Sequence, residues 1–237
     1  MELIKAMSVK SDKSHQKGSG KMKYPEDFVN KIIQGDCLGI MKQMPDKCVD
    51  LVLTDPPYGI NADKGVGGFG SSKTDKHYED DWDNQRPSKE VFDEILRVGK
   101  NVIIFGGQFF ADLLSVNGHW IVWDKKGDIA FNNPFGDCEL AWTNVNRKSV
   151  KKYVVIQQGF IAVEKTRYHP TQKPVNVIGQ IVRDYVFEEG VIFDPFLGSG
   201  TTAVACKMLK RNFIGIEIEP KYVAIAKTRL RAINPLL

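Results

Sequence analysis

Two short stretches combine residue types and spacing that can do chemistry. The first, Thr54-Asp-Pro-Pro-Tyr-Gly59, follows Val49-Asp-Leu-Val-Leu, an apolar run of strand character. Pro56 and Pro57 carry no N–H, so the turn offers acceptors only: the Asp55 carboxylate and the carbonyls around Pro56, with Tyr58 adding an aromatic face. That set suits an NH2 group on a flat ring, whose two hydrogens go to the carboxylate and a carbonyl while the tyrosine stacks on the ring. An isolated Pro-Pro pair reads better as a rigid turn with a surface tyrosine; Asp-Pro-Pro-Tyr at a strand end, with a nucleotide cradle elsewhere in the chain, does not.

The second stretch, Phe193-Asp-Pro-Phe-Leu-Gly-Ser-Gly-Thr-Thr202, reads as a strand running into a glycine turn and then a helix. Gly198 and Gly200 let backbone approach a ligand, and the following helix start supplies free N–H groups. Glu217, fifteen residues after Thr202, closes the next strand, where a carboxylate can accept from a ribose diol. Gly198-x-Gly200-x-x-Ala203 with Glu217 also fits a dinucleotide-binding start, and a purely structural glycine turn remains open. A Walker A loop is excluded, because no Gly-Lys-Ser/Thr ending follows.

The elements that must position these residues alternate. Strands are expected at 31–34, 49–54, 101–105, 119–123, 190–193 and 212–216. Helices are expected at 37–44, from a Ser88 cap to 97, and at 108–115, 175–187, 201–210 and 220–232, the last with proline in its first turn. Short apolar strands interleaved with amphipathic helices predict a doubly wound, mostly parallel α/β sheet. Its strand carboxyl ends would carry both motifs. Residues 1–25 are polar and Lys/Ser/Gly-rich and should form a disordered basic tail before a single domain over 26–237. Long insertions near 60–87 and 144–168 interrupt the alternation, and loops of that length are usually functional.

The chain has 237 residues, 42% hydrophobic and 26% charged, enough for one well-buried core. Its mean hydropathy is -0.27, and no apolar run reaches the roughly 18 residues of a membrane helix. Without a secretory signal in its first residues, it is expected in the cytoplasm. Cys37, Cys48, Cys138 and Cys206 form no CxxC pair and are expected to be buried thiols; the four histidines are dispersed, so no metal site is indicated. Net charge is +4, and residues 144–174 hold Arg147, Lys148, Lys151, Lys152, Lys165, Arg167 and Lys173 against Glu164, a local +6. That is a candidate nucleic-acid surface, or else a solvated lysine-rich face.

Asp55-Pro-Pro-Tyr58 followed far downstream by Asp194-Pro-Phe-Leu-Gly-Ser-Gly200 resembles the DNA amino-methyltransferases, which transfer a methyl group from S-adenosylmethionine to adenine N6 or cytosine N4. With the catalytic tetrapeptide first, the order is that of the beta class, a circular permutation of the sheet. The resemblance covers roughly residues 31–231. It implies a Rossmann-like fold of the methyltransferase type and catalytic roles for Asp55, Pro56, Pro57 and Tyr58. It also implies cofactor contacts from Asp36 (to the cofactor's amino group), Thr171, Gln172 and Lys173 (along its methionine end), Asp194, Phe196, Gly198, Ser199, Gly200, Thr201, Thr202 and Glu217. Without it, Asp36 reads as a helix cap.

The resemblance further implies double-stranded DNA as partner, with phosphate contacts from Lys64, Lys73, Lys76, Arg147, Lys148, Lys151, Lys152 and Arg167, and a homodimer in a bacterial or phage-infected cell. A cognate restriction endonuclease is not identified by the sequence. Aspartate at the head of the tetrapeptide favours adenine over cytosine. Trp82, Trp120, Trp123 and Trp142 are expected in the core or lining the site. Two readings compete: an NAD-dependent oxidoreductase, against which only 37 residues follow Gly200, and a catalytically silent DNA-binding relative.

Overall fold

A computed structural model describes residues 21–60, 83–116, 118–128, 136–146, 149–157, 168–169 and 171–233. In chain order the elements are β1 (Lys31–Gln34), α1 (Cys37–Met41), β2 (Val49–Thr54), α2 (Lys89–Val98), β3 (Gly99–Phe105), β4 (His119–Asp124), β5 (Cys138–Thr143), β6 (Lys151–Val154), α3 (Val175–Tyr185), β7 (Val191–Asp194), α4 (Thr201–Met208), β8 (Asn212–Glu217) and α5 (Pro220–Ala232). The strands form one sheet in the order β1-β8-β7-β2-β3-β5-β4-β6. Every neighbouring pair is parallel except those that β5 makes with β3 and β4, so β5 alone runs backwards. The doubly wound, mostly parallel sheet expected from the alternation is present.

Strand alternation sorts the core into two layers. In β3, Ile103 and Phe105 join one apolar cluster with Val177, Ile178, Ile181 and Val182 of α3 and Ala203, Ala205 and Cys206 of α4. Val102 and Ile104 join the other, with Ile40 and Met41 of α1 and Val91, Phe92, Ile95 and Val98 of α2. Helices thus cover both faces, which is what strands apolar on both sides require. The chain winds outward from β2 in one direction and from β7 in the other, and β2 and β7 are paired through Leu51↔Ile192 and Val52↔Phe193. Their carboxyl ends therefore mark the switch point at which doubly wound sheets open a crevice.

Several expectations are corrected. Residues 108–115 form only a 3-10 turn at Gly107–Phe110. The Phe109 carbonyl, needed by a continuing helix, accepts instead from Arg86 (2.8 Å), whose guanidinium also grips Asp112 at 2.8 and 2.9 Å. Strand β5 was not anticipated, and β6 lies within the segment read as an insertion. Residues 21–25, assigned to the disordered tail, pack on the core: the Tyr24 hydroxyl donates to the Cys48 carbonyl at 2.6 Å. Of the four cysteines, Cys37 and Cys206 are buried, Cys48 is half-buried and Cys138 is exposed. Among the described residues no helix is long and apolar enough to cross a membrane, and no cluster of His, Cys, Asp and Glu could hold a metal.

Candidate active site

The two sequence motifs meet at the switch point. Asp55 follows the last residue of β2, and Asp194 ends β7. Asp194 is 5% exposed and joins three elements. Its Oδ1 accepts from Thr54 Oγ1 (2.8 Å) and the Phe196 N–H (3.1 Å), and its Oδ2 accepts from Thr202 Oγ1 (2.6 Å) in the first turn of α4. Burial pushes its carboxyl up to about 6, against those hydrogen bonds. Asp194 thus ties the glycine loop and the start of α4 to the end of β2.

The loop is held from its other side by Glu217, at the end of β8. Glu217 Oε2 accepts from the Gly198 N–H (2.7 Å) and Oε1 from the Glu219 N–H (2.9 Å). Burial raises its carboxyl above the usual range, opposed by these two amides. The neighbouring strand end carries Asp36, which caps α1 through the Gly39 N–H (2.8 Å) and is exposed. Arg229 of α5 donates to the Ser199 carbonyl (2.9 Å), to Ser199 Oγ (3.0 Å) and to Thr201 Oγ1 (3.3 Å). Ser199 Oγ in turn donates to Gln172 Oε1 at 3.0 Å. Phe196 is half-buried and packs against the core beside β7.

At Asp55, Tyr58 donates its hydroxyl to Oδ1 (2.5 Å), and Lys173 donates to Oδ2. The Tyr58 ring stacks on Phe109 with centroids 4.7 Å apart, in a space that the missing side chain of Gly106 leaves open. Asp83, 1% exposed, accepts the Tyr58 and Gly59 N–H groups at 2.7 and 2.9 Å and so fixes the turn after the prolines. Pro56 is buried and Pro57 half-buried.

Lys173 also lies 3.3 Å from Glu139 Oε2 on β5, whose Oε1 is 3.2 Å from Lys125 Nζ. Burial works against the Lys173 ammonium, but Asp55 and Glu139 outweigh it and hold its pKa above the ordinary value. Burial likewise works against the Glu139 carboxylate, and Lys173 and Lys125 outweigh it, keeping Glu139 below its usual range. For Asp55, burial prevails over Lys173 and Tyr58 and raises the carboxyl. Burial, with the charges of Asp55 and Glu139, keeps the Tyr58 phenol protonated well above its ordinary value.

A family model described as DNA methylase matches residues 121–228, from β4 through the glycine loop into α5. The Type II methyltransferase M.HinfI of Haemophilus influenzae is 27% identical over 88% of this chain and 70% of its own length. M2.MboI of Moraxella bovis, also a Type II methyltransferase, is 26% identical over 87% of this chain and 89% of its own. The crystal structure of the M1.HpyAVI-SAM complex superposes with a TM-score of 0.53 at 26% identity, over 84% of this chain and 98% of that one. The chain is similar to the DNA methylase family over residues 121–228.

The order of strands is the permuted one implied by the motifs, with the Asp55-Pro-Pro-Tyr58 turn after β2 and the glycine loop after β7. Lys173, read as lying along the cofactor's methionine end, directs its ammonium to Asp55 and Glu139. Thr171 is half-buried, its N–H donating to His169 Nδ1 at 3.3 Å. Sequence reasoning missed Glu139, Lys125, Asp83 and Arg229; the one local signal was an acidic residue inside the strand-like run Cys138-Glu-Leu-Ala-Trp142.

Of the expected DNA contacts, Lys151 sits 3.0 Å from Asp184 Oδ2 and Lys152 3.2 Å from Asp124 Oδ2, both on β6. Lys64, Lys73, Lys76, Arg147, Lys148 and Arg167 lie outside the described residues, as does Trp82. Trp123 and Trp142 are each 3% exposed, and Trp120 is half-buried against the core, as expected.

The His169 ring lies against Tyr222, tilted by 57° with ring centroids 4.5 Å apart. Burial, with the charge of Lys173, pulls its pKa down to about 4. A histidine whose folded pKa is depressed contributes stability that is complete above its unfolded value and is lost as pH falls through about 4. The raised carboxyl of Asp194 acts oppositely: its contribution is complete below the ordinary carboxylate range and lost as pH rises through about 6. His169→Gln is therefore expected to shrink the fall in melting temperature between pH 6.5 and pH 4, as followed by circular dichroism. An unchanged acid-side slope would show that His169 is not the group responsible.

Proposed function

We propose that this chain transfers the methyl group of S-adenosylmethionine to adenine N6 in double-stranded DNA, acting on a base swung out of the helix. The observation that carries the reading is the joining of the two motifs across one hydrogen bond. Thr54, beside Asp55, donates to Asp194, beside the glycine loop, at 2.8 Å, so an amine-accepting turn and a nucleotide cradle share one crevice. The aspartate that heads the tetrapeptide supports adenine.

The residues present fit the cofactor by donor chemistry. Asp36 and Glu217 put two carboxylates at adjoining strand ends, and each Glu217 oxygen accepts one backbone N–H, leaving lone pairs for a ribose diol. The first turn of α4 supplies N–H groups without intrahelical partners, suited to a carboxylate. Gly198, Ser199, Gly200 and Thr201 would line that end, and Phe196 the adenosine. When bound, S-adenosylmethionine supplies an electrophilic methyl group on a sulfonium.

An exocyclic amine is a weak nucleophile because its lone pair is delocalised into the ring. Accepting its two hydrogens at Asp55 and at the Pro56 carbonyl favours a pyramidal nitrogen and aims the lone pair. Unstacking the base costs a few kcal/mol, and stacking on Tyr58 offsets part of that. Once alkylated, the nitrogen is cationic and acidic, so Asp55 need only be a modest base to take its proton. Phosphate contacts would come from Lys64, Lys73, Lys76, Arg147, Lys148 and Arg167, and from Lys151 and Lys152.

The test is methyl transfer from labelled S-adenosylmethionine to unmethylated genomic DNA, with sequencing that separates N6-methyladenine from N4-methylcytosine. N6-methyladenine at one recurring motif is expected. N4-methylcytosine would change the target base, and no incorporation despite cofactor binding by calorimetry would overturn the reading.

A further inference from the structure

Asp55 meets its substrate with both carboxylate oxygens engaged. Oδ1 takes the Tyr58 hydroxyl and Oδ2 the Lys173 ammonium. Each oxygen keeps a second lone pair, but an amine approaching Oδ2 meets the Lys173 ammonium already there and competes with it for that oxygen. Lys173 is 8% exposed and lies over the rings of Phe105 and Tyr58, at 5.3 and 6.0 Å from their centroids. An ammonium so placed cannot be left without a carboxylate, because an unpaired buried charge is strongly disfavoured. The fold supplies a second one: Glu139 Oε2 on β5 stands 3.3 Å from the same nitrogen, and Lys125 steadies that carboxylate from behind at 3.2 Å.

We infer that Glu139 is a positioning residue for methyl transfer: it receives the Lys173 ammonium when the target amine takes the lysine's place at Asp55 Oδ2. The inference rests on the methyl-transfer reading above. No covalent bond changes in the exchange. The lysine moves one N–H contact from Asp55 to Glu139, and the amine fills the acceptor it leaves. The charged and titratable groups around Lys173 are Asp55 and Tyr58 from the turn after β2, Glu139 from β5 and His169 from its own segment, with Lys125 behind Glu139. Glu139 is thereby the acceptor that makes Asp55 available without expelling a cation from the site.

The test uses the full chain with 13Cε-labelled lysine, unaltered and as Glu139→Gln and Glu139→Asp, with Lys173→Met to assign the Lys173 signal. Glu139→Gln is expected to move the Lys173 titration to lower pH and to lower kcat on DNA on the order of tenfold. Cofactor affinity by calorimetry should be unchanged, and Glu139→Asp should restore most of both losses. The Glu139 side chain is 32% exposed, so the variants should fold, and the Lys173 titration reads the coupling in either one without turnover. A Gln variant with undiminished kcat, or an unmoved Lys173 titration, overturns the inference and leaves the methyl-transfer reading standing. Absence of transfer by the unaltered chain overturns both.

Discussion

Replacing Asp55 with alanine is expected to slow methyl transfer by about a thousandfold or more while cofactor affinity stays within a few-fold. Among the described residues, the carboxylate's hydrogen-bond partners are Tyr58 and Lys173 rather than the glycine loop, Glu217 or Asp36. Losing it removes an acceptor for the amine, and nothing else in the turn replaces that, since the Pro56 carbonyl is taken by the amine's other hydrogen and Asp83 is committed to the Tyr58 and Gly59 amides. Folding should tolerate the change, because Lys173 keeps Glu139 as a counter-charge. Asp55→Asn retains one carbonyl acceptor and is expected to fall between alanine and the unaltered chain. Single-turnover transfer from labelled cofactor, with calorimetry on the same preparations, measures both halves. A near-normal rate in the alanine variant would remove Asp55 from the chemistry.

Much of this site is legible in sequence because its two motifs are local. Thr54 to Gly59 and Phe193 to Thr202 each carry their turn chemistry within ten residues or fewer, and the apolar runs before them announce the strands that aim them. Their pairing follows from topology, once alternating strands and helices imply a switch point. What resists reading is set by long-range partners. Lys173 and Asp55 are 118 positions apart, and nothing near Lys173 says that its ammonium should cross to the turn after β2. Glu139 lies on a strand that reverses direction between β3 and β4, and its register opposite Trp123 is fixed by sheet pairing alone. The helix expected at 108–115 failed for a similar reason: Arg86, more than twenty positions earlier, takes the Phe109 carbonyl. The exposure of Cys138 likewise follows from its place at the start of β5 rather than from its residue type.

Gly200→Val is expected to destabilise the fold and weaken cofactor binding together. Gly200 caps α4 at φ +89, a left-handed conformation that a β-branched residue resists. A Cβ there would stand 2.7 Å from the Ala226 Cβ and 3.0 Å from its Cα, so relief requires the backbone of α5 to move. Strain of about 1–3 kcal/mol adds to overpacking of similar size, a large part of the roughly 5–15 kcal/mol that holds a domain. A fall in melting temperature of about 10 °C is expected. Shifting α5 also drags Arg229 off Ser199 and loosens the first turn of α4, so cofactor affinity should drop at least about tenfold. Gly198→Ala separates the two effects. That residue has φ +53, but a Cβ there meets nothing closer than His169 at 3.8 Å. The space beside Gly198 is thus open to an approaching ligand. The alanine variant should therefore lose cofactor affinity with a melting temperature shifted by only a few degrees, since it bears only the backbone strain of about 1–2 kcal/mol. Equal melting losses in the two variants would mean that both glycines serve packing, and the cradle would have to lie elsewhere along the switch point.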